Sequence, residues 1–227
     1  PAVRSSIYAV LAAFLWATYY VFVLSVSSGA GAILTYPFLA GGLAYRAWAV
    51  QRGQWRAFVR VWSEPAAYLR TALAIAMQVS VLASTYVAGP VDTSLLSLIG
   101  DVQVTPILLI VLYHEGAEHA RSPRFLSGLL LGTLGAALTI IGGSSVEPIR
   151  GWGWLVAPAV PLAVAFYFLL SARANRLTDT RAVVGQAMLG AGLGSFLLGP
   201  VLPGGWASFG VGSVHDAVFL VVLGLTS

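Results

Sequence analysis

Seven apolar stretches follow one another along this chain, and nothing between them is long enough to fold separately in water. They run roughly over residues 5–26, 31–50, 66–88, 91–113, 125–143, 151–171 and 182–201. A helix needs about 20 apolar residues to cross a bilayer, and a helix satisfies all its own backbone polar groups in lipid. Each stretch is therefore expected to be a transmembrane helix. An eighth begins near Asp216, and its apolar part, from Ala217, reaches about half the spanning length by Ser227. The first stretch is not followed by a small-residue cleavage site and a polar mature region, so it reads as a span rather than a signal peptide.

The basic residues orient these helices. All twelve are arginine, and eleven of them fall on alternate gaps. Arg4 precedes the first stretch; Arg46, Arg52, Arg56, Arg60 and Arg70 surround the gap after the second. Arg121 and Arg124 follow the fourth, and Arg173, Arg176 and Arg181 the sixth, leaving Arg150 alone in the intervening gaps. Short loops rich in Lys or Arg stay in the cytoplasm, which places the N-terminus inside. The segment 51–65, with Trp55, Phe58, Val61 and Trp62 set between arginines, reads as an amphipathic helix at the inner interface.

Composition closes off other classes. A soluble domain carries about a quarter charged residues; this chain has 9% charged, 58% hydrophobic and a mean hydropathy of +0.86. Its pI near 9.7 comes from arginines spread over short loops, not from the clustered patch a nucleic-acid surface requires. The absence of cysteine excludes disulfides, thiolate metal sites and a cysteine nucleophile. No Gly-Lys-Ser/Thr follows any glycine run, so nothing here cradles a nucleotide. His114-Glu115-Gly116-Ala117-Glu118-His119 is not a zinc motif: its histidines are five apart and Gly116 breaks the helix between them. No metal or cofactor is expected. The glycine runs at 41–42, 128–132 and 185–194 read as close helix contacts. The chain starts without an initiator Met and ends within an apolar stretch, so it is expected to be the front of a longer protein.

Two short echoes recur at an offset near 150 residues. Leu39-Ala40-Gly41-Gly42-Leu43 is matched by Leu189-Gly190-Ala191-Gly192-Leu193, and Tyr19-Tyr20 by Phe166-Tyr167. Both pair one span with the fifth span after it. A repeat of five spans inserts its second copy upside down, the inverted design of many secondary transporters.

Leu15-Trp16-Ala17-Thr18-Tyr19-Tyr20-Val21-Phe22 resembles the first helix of the drug/metabolite transporter superfamily (EamA-type carriers). Ser94-Leu95-Leu96 through Pro106, with Glu115 after the apolar run, is similar to the fourth helix of that family. The glycine-bearing run 125–142 resembles its fifth, and Gln186 with the Gly/Ala/Leu run after it resembles its seventh. Tyr36-Pro37-Phe38 departs from the Arg-Phe that opens the second helix in many members, and Asp101 from a usually uncharged stretch. The resemblance implies an all-α polytopic protein of ten helices in two inverted five-helix repeats, of which about seven and a half are present. The first repeat would occupy residues 1–144 and the truncated second one 151–227. It also implies a bacterial secondary carrier in the cytoplasmic (inner) membrane that exports a small organic metabolite or drug-like solute.

Asp101 is the leading candidate site residue. It lies about ten residues into the fourth stretch, where a carboxylate is costly against lipid and is functional by default. Ser94, Ser97, Asp101 and Thr105 share one helical face, and Pro106 leaves the Val102 carbonyl beside it without its usual partner. Such a stripe could bind a coupling proton, a cation or a substrate amine. Trp16, Tyr19 and Tyr20 lie deep in the first stretch, and Tyr167 is their counterpart in the sixth; these aromatics could wall a cavity or simply pack. Gln78 and Gln103 are amides at depth, serving a cavity or interhelical hydrogen bonds, and Gln186 joins the candidate wall. An intramembrane enzyme would need a nucleophile–base pair that no histidine or second carboxylate supplies beside Asp101. A channel would show polar rows on several spans, and a non-transporting scaffold would show no flux.

Overall fold

The computed structural model describes residues 25–88, 104–113, 122–142, 159–175 and 179–226, together with Thr93, Leu96 and Ser97. Every element among the described residues is helical. In chain order they are α1 (Ala30–Gln51), α2 (Trp55–Ser63), α3 (Pro65–Ala88), α4 (Thr105–Tyr113), α5 (Pro123–Gly142), α6 (Ala159–Asn175), α7 (Thr180–Ser195) and α8 (Val214–Thr226). Two 3-10 segments, Phe196–Val201 and Gly205–Phe209, lie between α7 and α8. Two stretches among the described residues, Pro65–Tyr86 and Thr180–Val201, are long and apolar enough to cross a membrane.

The chain divides into two compact units. One combines Pro1–Ile75 with Thr178–Ser227, and the other is Ala76–Leu177. In the first unit α1 packs along α7 and α8. The contact needs glycine at both ends of a short exchange. A methyl group built on Gly42 would lie 2.6 Å from the Leu189 amide nitrogen, and one on Gly192 would lie 2.8 Å from that of Leu39. Tyr45 meets Gly185 further along. Partner numbers fall on α7 as they rise on α1, so the helices are antiparallel. On α8, Gly224 sits against the Pro37 carbonyl oxygen, again leaving no room for a side chain.

The two ends of this pair are held differently. At the start of α1, Tyr36 Oη donates to the Phe209 carbonyl at 2.9 Å, and the Phe196 and Phe209 rings stack at 5.1 Å. Ser27 and Ser28 hydroxyls donate to one oxygen of Asp216, in the first turn of α8, at 2.6 and 3.1 Å. At the opposite end, the Arg46 guanidinium lies 5.3 Å from the Trp55 ring centroid and Arg181 lies 4.7 Å from that of Trp48. Both are cation–π distances. Gly53 (φ +66°) turns the chain into α2, whose Phe58 and Val61 are buried while Arg56 and Arg60 are exposed, as the residue pattern predicts.

α7 stops short of the stretch its composition predicts. Ser195 Oγ donates back to the Ala191 carbonyl at 2.7 Å, a bond that competes with helix geometry, and Pro200 follows within the tightened 3-10 segment. The second unit holds the rest of α3 with α4, α5 and α6, and α4 packs on α6. The expectation of close packing at residues 128–132 finds no support at Gly128 among the described residues: a methyl group there would meet none of them, and Leu126, Leu130, Leu131 and Leu134 around it are exposed. In an apolar helix small-xxx-small spacing places two glycines on one face; it does not say whether a partner or lipid covers that face.

Candidate functional site

Among the described residues of the first unit two charged side chains are buried, Arg70 and Asp216, and Arg70 comes first in the chain. It lies five residues beyond the start of α3, and its side chain is 1% exposed. Burying a guanidinium costs several kcal/mol unless it is paired in good geometry. Two residues face it. Nη1 and Nη2 both reach the same oxygen of Glu64, at 3.5 Å each, and Nε reaches Gln186 Oε1 at 3.5 Å. These separations are well beyond the 2.7–2.9 Å of a strong charge-assisted bond.

Local structure explains how the three meet. Glu64 is the extended residue between α2 and α3 (φ −77°, ψ 129°), so its carboxylate turns back toward the first turns of α3. It stays about a quarter exposed (27%), at the edge of the unit. Gln186 comes from α7 and is completely buried. Its amide nitrogen donates to Thr71 Oγ1 at 2.9 Å and to the Ala67 carbonyl at 3.3 Å, which aims its oxygen at Arg70. Gly190, one turn further on α7, admits Thr71, since a methyl group there would lie 2.5 Å from the Thr71 hydroxyl. The result is a fixed cation with a fixed amide on one side and a partly exposed carboxylate on the other.

A second polar group closes the far end of the same unit. Asp216 is buried, accepts from Ser27 and Ser28, and its backbone N–H donates to Ser213 Oγ at 3.0 Å. It stands ahead of the apolar run of α8. The Ser27 hydroxyl above all, with Ser28, Ser213 and the neighbouring His215, holds the carboxyl below the usual range against the opposing effect of burial. An acid in a first turn also suits the helix dipole.

Of the residues singled out from the sequence, Gln186 alone lies in this cluster. Gln78, Ser97, Thr105 and Tyr167 belong to the second unit. Gln78 is buried and its Oε1 has no partner among the described residues; Ser97 is fully buried, and Thr105 is half-buried at the start of α4. Tyr167 is half-buried and meets the Phe168 ring edge-on at 5.6 Å. Ser171 Oγ and Asn175 Oδ1, one and two turns along α6 from Tyr167, are also buried with no partner among the described residues. Asp101, Trp16, Tyr19, Tyr20, Gln103, Val102 and the His114–His119 motif lie outside the described residues.

Arg70 and Glu64 escaped the sequence reading. Arg70 looked like one more inner-loop arginine near a span end. A signal was present, because Glu64 is the first acidic residue of the chain and sits among five arginines. No family model, curated protein or solved structure matches this chain. The functional reading therefore stands on the residues and their arrangement.

Proposed function

We propose that this chain belongs to a secondary carrier that moves a small organic metabolite or drug-like solute across the cytoplasmic membrane, in the direction of export. In this reading two inverted five-helix repeats rock against each other, and the solute site opens alternately to either side. The observation that carries it is the exchange between α1 and α7. Gly42 meets Leu189 and Gly192 meets Leu39. Adding 150 to Gly42 and Leu39 gives Gly192 and Leu189, so each contact is the image of the other. A two-fold axis perpendicular to an antiparallel helix pair makes such reciprocal contacts. An axis lying in the membrane plane is what relates inverted repeats.

The ends of the pair support the same reading. Residues 27–31 meet 205–216 at one end, on the side the arginines mark as outer, while Trp48, Trp55, Arg46 and Arg181 gather at the side they mark as inner. As read from the sequence, Asp101 remains the coupling or substrate-binding group of this proposal, with Ser97 and Thr105 on its stripe and Trp16, Tyr19, Tyr20, Gln78, Tyr167 and Gln186 as wall candidates.

Full-length protein in proteoliposomes tests it. Asp101→Asn should sharply reduce transport driven by a pH gradient while expression and insertion persist. Undiminished transport with the same pH dependence removes Asp101 from the coupling role, and flux equal to that of protein-free vesicles removes the carrier.

A further inference from the structure

We propose that the Arg70 guanidinium is a binding subsite for the carboxylate of a small organic solute, and that Glu64 is an internal stand-in anion which the solute displaces. The assignment deepens the carrier reading and rests on it for the route by which the solute arrives. Three features of the cluster carry it. First, a fully buried guanidinium presents five donors in a rigid fork made for two oxygens, yet both of its terminal nitrogens converge on a single Glu64 oxygen at 3.5 Å. The pair is therefore neither tight nor bidentate. Second, Gln186 does not move to relieve Arg70, because its amide nitrogen is already held by Thr71 and Ala67. Its oxygen at 3.5 Å fixes the orientation of the fork without saturating it. Third, the two carboxylate-facing elements differ in freedom. Arg70 is 1% exposed on a long helix, whereas Glu64 is 27% exposed on a single extended residue between helices. Rotation of the Glu64 side chain toward solvent leaves the cation in place with its fork open.

A structural ion pair would look otherwise. Where charge is buried for rigidity, short bonds and complete satisfaction of both partners offset the desolvation. Here the cation is preorganised and the anion is loosely held at the edge, the arrangement that favours exchange of one carboxylate for another.

Binding of benzoate to purified full-length protein tests the assignment without any need for transport, so the subsite and the carrier reading can fail separately. Benzylamine and benzamide serve as cationic and neutral controls of the same shape, and inorganic phosphate and phosphatidylglycerol separate a carboxylate subsite from a phosphate or lipid-headgroup one. Benzoate should bind saturably and the two controls should not. Glu64→Gln removes the competing anion and should tighten benzoate binding about tenfold. Arg70→Lys keeps the charge but loses the fork, and should weaken benzoate binding in the wild type and abolish that gain in the Glu64→Gln background. Benzoate binding that is absent in both wild type and Glu64→Gln, or that Arg70→Lys leaves unchanged, overturns the proposal. So does a stronger response to phosphate or phosphatidylglycerol than to benzoate.

Discussion

Gln186 and Arg70 show what one side chain can and cannot reveal in advance. Gln186 is an amide at the head of a Gly/Ala/Leu run, and that pattern, through its family resemblance, singles it out in the sequence. Arg70 could not be singled out, because its burial is created by a residue 116 positions away in the chain. Arg46, at the matching distance from its own helix end, remains exposed over Trp55. Replacing Gln186 by Leu should remove the acceptor at Arg70 and the donor at Thr71 while keeping the volume. A buried group left without its partner costs about 1–3 kcal/mol, so the thermal midpoint should fall clearly, whereas exposed Gln51→Leu should leave it nearly unchanged. Asp216 yields a pH-dependent counterpart. Its folded pKa is depressed, so its contribution is fully present above the unfolded carboxylate value of about 3.9 and is lost as pH falls through the lower folded value. The difference in thermal midpoint between wild type and Asp216→Asn should stay constant from neutral pH to about pH 5 and close below about pH 4.

Helices were easier to foresee than their faces. The apolar stretches at 31–50, 66–88 and 125–143 correspond to α1, α3 and α5 within a residue or two at each end, since length and hydropathy are local properties. What each glycine does is not local. Gly42 and Gly192 let two backbones touch, while Gly128, in an equally suggestive spacing, meets none of the described residues and lies beside exposed leucines. The difference lies in which helix arrives opposite, and hydropathy does not carry that information. The exchange between α1 and α7 also has a signature in exposure: Leu43 and Leu193, 150 residues apart, are 50% and 53% exposed. Valine at Gly42 should separate the pair and lower stability by about 1–3 kcal/mol, the usual cost of overpacking. Valine at Gly192 should cost a similar amount, and valine at Gly128 little or nothing. Thermal unfolding of the three variants side by side checks the two-fold relation, because unequal effects at Gly42 and Gly192 would break it.

At the scale of the molecule, the proposed carrier depends on which side of the membrane each helix end lies. The alternating arginines foretell that residues 27–30 and 200–213 share one side of the membrane while 51–65 and 172–181 share the other, and in the proposed carrier the reciprocal α1–α7 contact belongs to an inverted pair. Asp101 and the first-helix aromatics enter as chemistry read from the sequence, since depth and residue type alone single them out. Because the chain contains no cysteine, single cysteines can be placed and labelled cleanly in intact cells and in inverted membrane vesicles. The decisive set is Ala207→Cys and Val211→Cys against Gln51→Cys and Thr180→Cys, all at exposed positions. The first pair should react with a membrane-impermeant maleimide in intact cells and the second pair in inverted vesicles. Labelling of all four from one side, or recovery of the protein in the soluble fraction, would contradict the account.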